Sequence, residues 1–126
     1  MTDEKIEQLV DRWIAYWNVD PPKHDGEESD YLNDMLMPGC DCDPEVLWRF
    51  IKATYKREIP ERHLALLAAG PLEDLIAEHG YDYIDRIETE ARQNPRFRHV
   101  LGGVWRNSSA SDVWSRIEAI RGNEVW

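Results

Sequence analysis

The sequence predicts an all-α fold, a compact single-domain array of about seven short helices, mostly antiparallel neighbours. Three observations carry this. Apolar residues recur at helical spacing in every well-patterned segment, as in Ile6, Leu9, Val10, Trp13, Ile14 and Trp17. No run of β-branched residues alternates cleanly. Proline and glycine punctuate the chain at short intervals, which favours tight connections between neighbouring helices.

The elements follow in order. Thr2 or Asp3 caps a first helix that Asn18 and Pro21–Pro22 end. Residues 20–30 form a polar loop, and a short helix spans Ser29–Met37 until Pro38–Gly39 stops it. Asp43–Pro44–Glu45 is a strong helix start, with Val46, Leu47, Phe50, Ile51, Thr54 and Tyr55 as its inward stripe. Ile59–Pro60 breaks that helix. The next runs from Pro60 to Ala69, with Gly70 as its C-terminal glycine at positive φ. Pro71 opens another, ending at His79–Gly80. Asp82 caps the one after, which Asn94–Pro95 stops. A short turn carries Phe97, Val100 and Leu101, and Ser109 or Ser111 caps a last helix closed by Gly122.

Length and composition set the class. At 126 residues the chain fits one domain, with an acidic part at 1–45 and a helical core at 46–122. A chain of this size buries roughly two-thirds of its unfolded surface. Its 42% hydrophobic content, with six Trp, suffices for a core. No apolar run approaches the ~20 residues of a membrane span. The N-terminus lacks the basic and apolar regions of a signal peptide. Cys40 and Cys42, one residue apart, suit a reducing cytoplasm rather than a relaxed disulfide. Half a zinc site is the most they offer, so free thiols, no metal and no cofactor are expected.

The net charge of −10 is local. Residues 1–45 hold thirteen acids against Lys5, Arg12 and Lys23, while residues 46–126 hold twelve acids and twelve bases. A one-sided field steers association. It points to a basic protein partner and away from nucleic acid or anionic membrane, whose phosphates it repels. The candidate binding residues are Asp20, Asp25, Glu27, Glu28, Asp30 and Asp34.

A second candidate, serving an enzyme or small-ligand binder as the alternative function, is a pocket around Glu73, His79, Glu88, Arg98 and Trp105. Each has a competing structural role. Glu73, as third residue of a helix capped at Gly70, would bond free first-turn amides, with Asp74 beside it. His79 would meet the negative end of a helix dipole. Glu88 borders an apolar stripe and calls for a cation, Arg98 or Arg92. Trp105 follows a Gly–Gly pair and is the best candidate for an exposed anchor. The cluster Arg92, Arg96, Arg98, His99 and Arg106 reads as a solvated face that pairs with the acidic part, within one molecule or between two. No nucleotide-binding, nucleophile-elbow or metalloprotease signature occurs, which weighs against an enzyme and leaves no residue to name as catalytic.

The ordered motifs Gly-Pro-Leu-Glu-Asp-Leu (70–75), His-Gly (79–80), Arg-Ile-Glu (86–88), Pro-Arg-Phe-Arg (95–98), Leu-Gly-Gly-Val-Trp (101–105) and Val-Trp (113–114) resemble an uncharacterised bacterial domain family. Leu-Trp-Arg-Phe-Ile (47–51) is similar to its preceding helix. The resemblance spans about residues 45–121. It implies a domain of unknown function, supplies no catalytic residue, and leaves the acidic part largely outside. From its acidic N-terminal third, the protein is expected to be a small interaction module that binds a basic surface, by analogy with immunity proteins, antitoxins and inhibitors.

Overall fold

Thr2 and the acids behind it start the first helix. In the computed structural model, which describes residues 2–18, 44–105 and 110–122, the Lys5 amide donates to the Thr2 hydroxyl at 3.3 Å. Asp3 and Glu4 occupy the first turn of α1 (Asp3–Asn18), where carboxylates complement the dipole. Ile6, Leu9, Val10 and Trp13 are buried. Ile14 and Trp17, at the margin of the stripe, are half-buried.

The described residues are helical with no strand, and they form five continuous helical runs rather than seven helices. The segment 29–37, expected to hold a short helix, lies outside them. The chain divides into two compact units, Met1–Glu58 and Ile59–Trp126.

In the first unit α1 packs on α2 (Pro44–Tyr55). Pro44 opens α2, where its missing N–H costs no intrahelical bond. Leu47, Trp48, Phe50, Ile51, Thr54 and Tyr55 are buried. Val46, expected inward, is half-buried. Trp13 meets Phe50 edge to face, with centroids 5.9 Å apart. The Thr54 hydroxyl donates to the Phe50 carbonyl at 2.7 Å, satisfying a buried polar atom.

In the second unit α3 (Glu61–Leu67) starts at Pro60, whose carbonyl accepts the His63 and Leu64 amides. The chain does not break at Gly70. A single π turn, Ala68–Leu72, joins α3 to α4 (Glu73–Gln93). The Glu73 amide reaches five residues back to the Ala68 carbonyl. Pro71 has no N–H and its ring crowds the preceding turn, so a wider turn accommodates it while the backbone stays helical. Gly70 has no positive φ; among the described residues only Gly122 does, at 56°.

A second expected break is also absent. α4 runs through His79, which is locally distorted at φ −134°, ψ 24°. Gly80 serves close packing instead of ending a helix. It is buried, and a Cβ there would lie 2.9 Å from Val113 Cγ1. Asn94, extended at φ −129°, ψ 103°, ends α4, and Pro95 opens α5 (Pro95–Leu101). The amides of Gly102, Gly103 and Val104 close back onto α5 carbonyls. α6 (Ser111–Arg121) takes Ala110, not a serine, at its N-cap. Ser111 is the first helical residue, and Ser109 lies outside the described residues. α4 packs against both α5 and α6 around Ile84, Ile87, Phe97, Leu101, Val113 and Ile117.

Candidate functional site

The acidic part is the first candidate. Its described acids are Asp3, Glu4, Glu7, Asp11 and Glu45. Three of them sit at four-residue spacing along one edge of α1 and are paired within the unit. Asp3 pairs with Arg49, and Glu7 and Asp11 share Arg57, the latter at 2.8 Å. Both carboxylates hold the Arg57 guanidinium pKa above its ordinary value, with the Glu7 hydrogen bond the larger cause. Asp20, Asp25, Glu27, Glu28, Asp30 and Asp34 lie outside the described residues, as do Cys40 and Cys42. The charge left to them is high: residues 19–43 contain eight acids and one base, Lys23.

The second candidate is the set Glu73, His79, Glu88, Arg98 and Trp105. Glu73 is buried at the start of α4. It follows the π turn directly, so the helix has no free N-terminus there for it to cap. Its neighbour Asp74 is half-buried, and its pKa is pushed up to about 6. Burial is the main cause, followed by the charges of Glu73 and Glu78. His79 is half-buried at the distorted turn rather than at a helix end.

Glu88 finds its cation on α6. Arg116 grips Glu88 and also Asp85, neither Arg98 nor Arg92 taking that place. The two carboxylates raise the Arg116 pKa, Glu88 first. The reason is packing: α6 lies against α4, and Asp85 and Glu88 are three residues apart on the α4 edge that Arg116 faces. One turn away the Tyr81 hydroxyl donates to Asp112 at 2.8 Å, and that bond lowers the Asp112 pKa. Arg98 turns elsewhere, its Nε donating to the Arg121 carbonyl at 3.4 Å. Trp105 is 76% exposed, as an anchor requires.

Sequence reasoning passed over Arg116, Tyr81 and Asp112, which hold α4 to α6. Arg116 borders the Val113–Ile117 stripe, and that position was the available signal. It also assigned no titration to Asp74, whose burial follows from Leu72, Leu75 and Ile76 all facing inward around it.

Among the described residues no group of three or more His, Cys, Asp or Glu is arranged to hold a metal ion. None of their helices is long and apolar enough to cross a membrane. No curated protein and no solved structure matches the chain. A family model of unknown function, DUF6869, matches residues 20–125. The match begins well before residue 45, so the acidic residues from Asp20 to Asp43 fall inside it, contrary to the narrower span expected from the motifs. With most of its length covered, the chain belongs to DUF6869, a family of unknown function.

Proposed function

We propose that this chain is a protein-interaction module whose acidic stretch engages a cationic protein surface. The observation that supports the reading is the placement of charge. Asp3, Glu7 and Asp11 are engaged by Arg49 and Arg57, and residues 19–43 of the sequence carry a formal net charge of −7, eight acids less Lys23. Asp20, Asp25, Glu27, Glu28, Asp30 and Asp34 are its binding residues. Such a surface accelerates encounter with a basic partner and disfavours phosphate-rich ones. An inhibitor, antitoxin or immunity role in the cytoplasm is the biological setting this chemistry suits.

Cross-linking in lysate, with an Asp25→Asn, Glu27→Gln, Glu28→Gln, Asp30→Asn chain as control, tests the reading. The expected outcome is capture of a basic protein by the wild type and its loss from the control. Equal capture by both chains contradicts the reading.

One observation favours a second reading, a small-ligand site around Glu73, His79, Glu88, Arg98 and Trp105. Asp74, adjacent to Glu73, titrates near neutrality as acid–base groups do. A Glu73→Gln chain that melts like wild type but loses all biological activity would establish it. Parallel loss of melting temperature and activity would assign Glu73 to the scaffold.

A further inference from the structure

Among the described residues of the second unit, Trp105 is the largest apolar side chain left in water, at 76% exposure. The residue before it is anchored. The preceding Val104 is buried, its amide bonds the Leu101 carbonyl at 3.2 Å, and its carbonyl accepts Arg121 Nη1 at 3.1 Å. Arg121 is itself held over the Trp114 ring, 4.8 Å from the centroid, and its carbonyl accepts Arg98 Nε. An exposed indole next to an anchored residue, with the Arg121 guanidinium on that residue's carbonyl and Arg98 linked to Arg121, presents contact area whose ordering cost is reduced. Trp and Arg are the residue types that dominate binding energy at protein interfaces.

The sequence on either side of it is cationic. Between Glu90 and Asp112 the sequence contains Arg92, Arg96, Arg98 and Arg106 and no acid. Arg92, Arg96 and Arg98 are exposed. Glu118, exposed one turn before Arg121 on α6, offsets part of this charge, and His99 is tied to Glu61 of α3. The complement lies in the same sequence. Residues 19–43 carry −7 and intersperse their acids with Pro21, Pro22, Tyr31, Leu32, Met35 and Leu36, apolar groups suited to an indole. Carboxylates pair with guanidinium groups through charge-assisted hydrogen bonds.

We propose that the Trp105–Arg98–Arg121 face docks the acidic stretch 19–43 of a second copy of this chain. The proposal rests on the reading that this stretch is a binding element, and it names one cationic surface that the stretch fits. Each copy carries both halves, so two copies can dock reciprocally as a two-fold dimer, or repeat head to tail into a larger ring or an open chain.

The test uses the full chain in sedimentation velocity over a concentration series at low and high salt, with Trp105→Ala and Arg98→Glu chains checked for folding by circular dichroism. In parallel, a synthetic peptide of residues 19–43 is titrated into isotope-labelled chain. The Trp105 indole N–H signal is assigned by its loss in Trp105→Phe. The expected result is self-association that high salt weakens, and that each substitution weakens about tenfold or more. The peptide shifts the Trp105 indole signal, and its Asn/Gln counterpart does not. A chain that stays monomeric throughout, or associates equally well with Trp105→Ala, overturns the proposal. So does a single-stranded oligonucleotide that shifts the indole signal when the peptide does not. If the wild type stays monomeric while neutralising Asp25, Glu27, Glu28 and Asp30 still abolishes capture of a basic protein, self-docking fails and the interaction reading stands.

Discussion

A methyl group added at Gly80 would stand 2.9 Å from Val113 Cγ1, closer than packed carbon atoms approach. Val113 is β-branched on a helix and has little rotamer freedom with which to yield. Gly80→Ala therefore lowers stability by roughly 1–3 kcal/mol, as overpacking does. Gly70→Ala behaves oppositely. A Cβ there meets nothing within 4 Å, and φ is not positive. That substitution leaves stability unchanged or raises it by about 0.4–1 kcal/mol through the unfolded chain. Urea denaturation of both variants checks the contrast. Asp74 supplies a pH test. Its pKa is about 6 in the folded chain, against about 3.9 in the unfolded one. Between these values the folded state binds more protons, so stability falls as pH rises from about 4 to about 6 and stays lower above. Asp74→Asn removes that loss. It stabilises the protein at pH 7 by about 1 kcal/mol, after discounting for the solvent screening of a half-exposed group, and the gain disappears below about pH 4. Melting of both chains across pH measures it. Glycine identity was legible in the sequence at both positions, but whether each glycine served a turn or a contact depended on what packed beside it.

Two charged clamps fix the elements within each unit. Arg57, just past α2, holds Glu7 and Asp11 on α1. Each of these solvent-facing pairs contributes about 0.2–1 kcal/mol, so Arg57→Ala lowers stability by no more than their sum and the loss shrinks in high salt. Double-mutant cycles with Glu7 and Asp11 measure each pair. Arg116 joins α6 to Asp85 and Glu88 on α4. Arg116→Ala speeds amide exchange in α6 while leaving α1 and α2 exchange unchanged, which hydrogen-exchange mass spectrometry resolves. Exchange that rises equally everywhere would show that Arg116 acts on global stability instead. The helices themselves were readable from periodicity, because each buries a stripe that the sequence spells out: Ile6, Leu9, Val10 and Trp13, or Tyr83, Ile84, Ile87 and Ala91. The junctions were less so. Gly70–Pro71 and His79–Gly80 both carry strong local stop signals. Burial of Ala68, Pro71, Leu72 and Gly80 favours a continuous helix, absorbed by one π turn and one distorted residue. Glu88 was correctly read as needing a cation, but its partner came from a helix 28 residues away, a tertiary fact that spacing does not encode.

At the scale of the whole chain, charge is segregated in the sequence, with α1 acids paired at the surface to Arg49 and Arg57 and a net charge of −7 carried by residues 19–43. The asymmetry was legible directly from the sequence; which acids are engaged was not, because Arg49 and Arg57 reach α1 from 46 to 50 residues away. The most direct test of the interaction reading is the association rate with the captured basic partner. It is measured from about 50 to about 500 mM salt, for wild type and for the chain with Asp25, Glu27, Glu28 and Asp30 changed to Asn or Gln. The account predicts slower association and a flatter salt dependence in the variant, with dissociation little changed, since peripheral charges act mainly on encounter. Identical association rates and identical salt dependence in the two chains would contradict it.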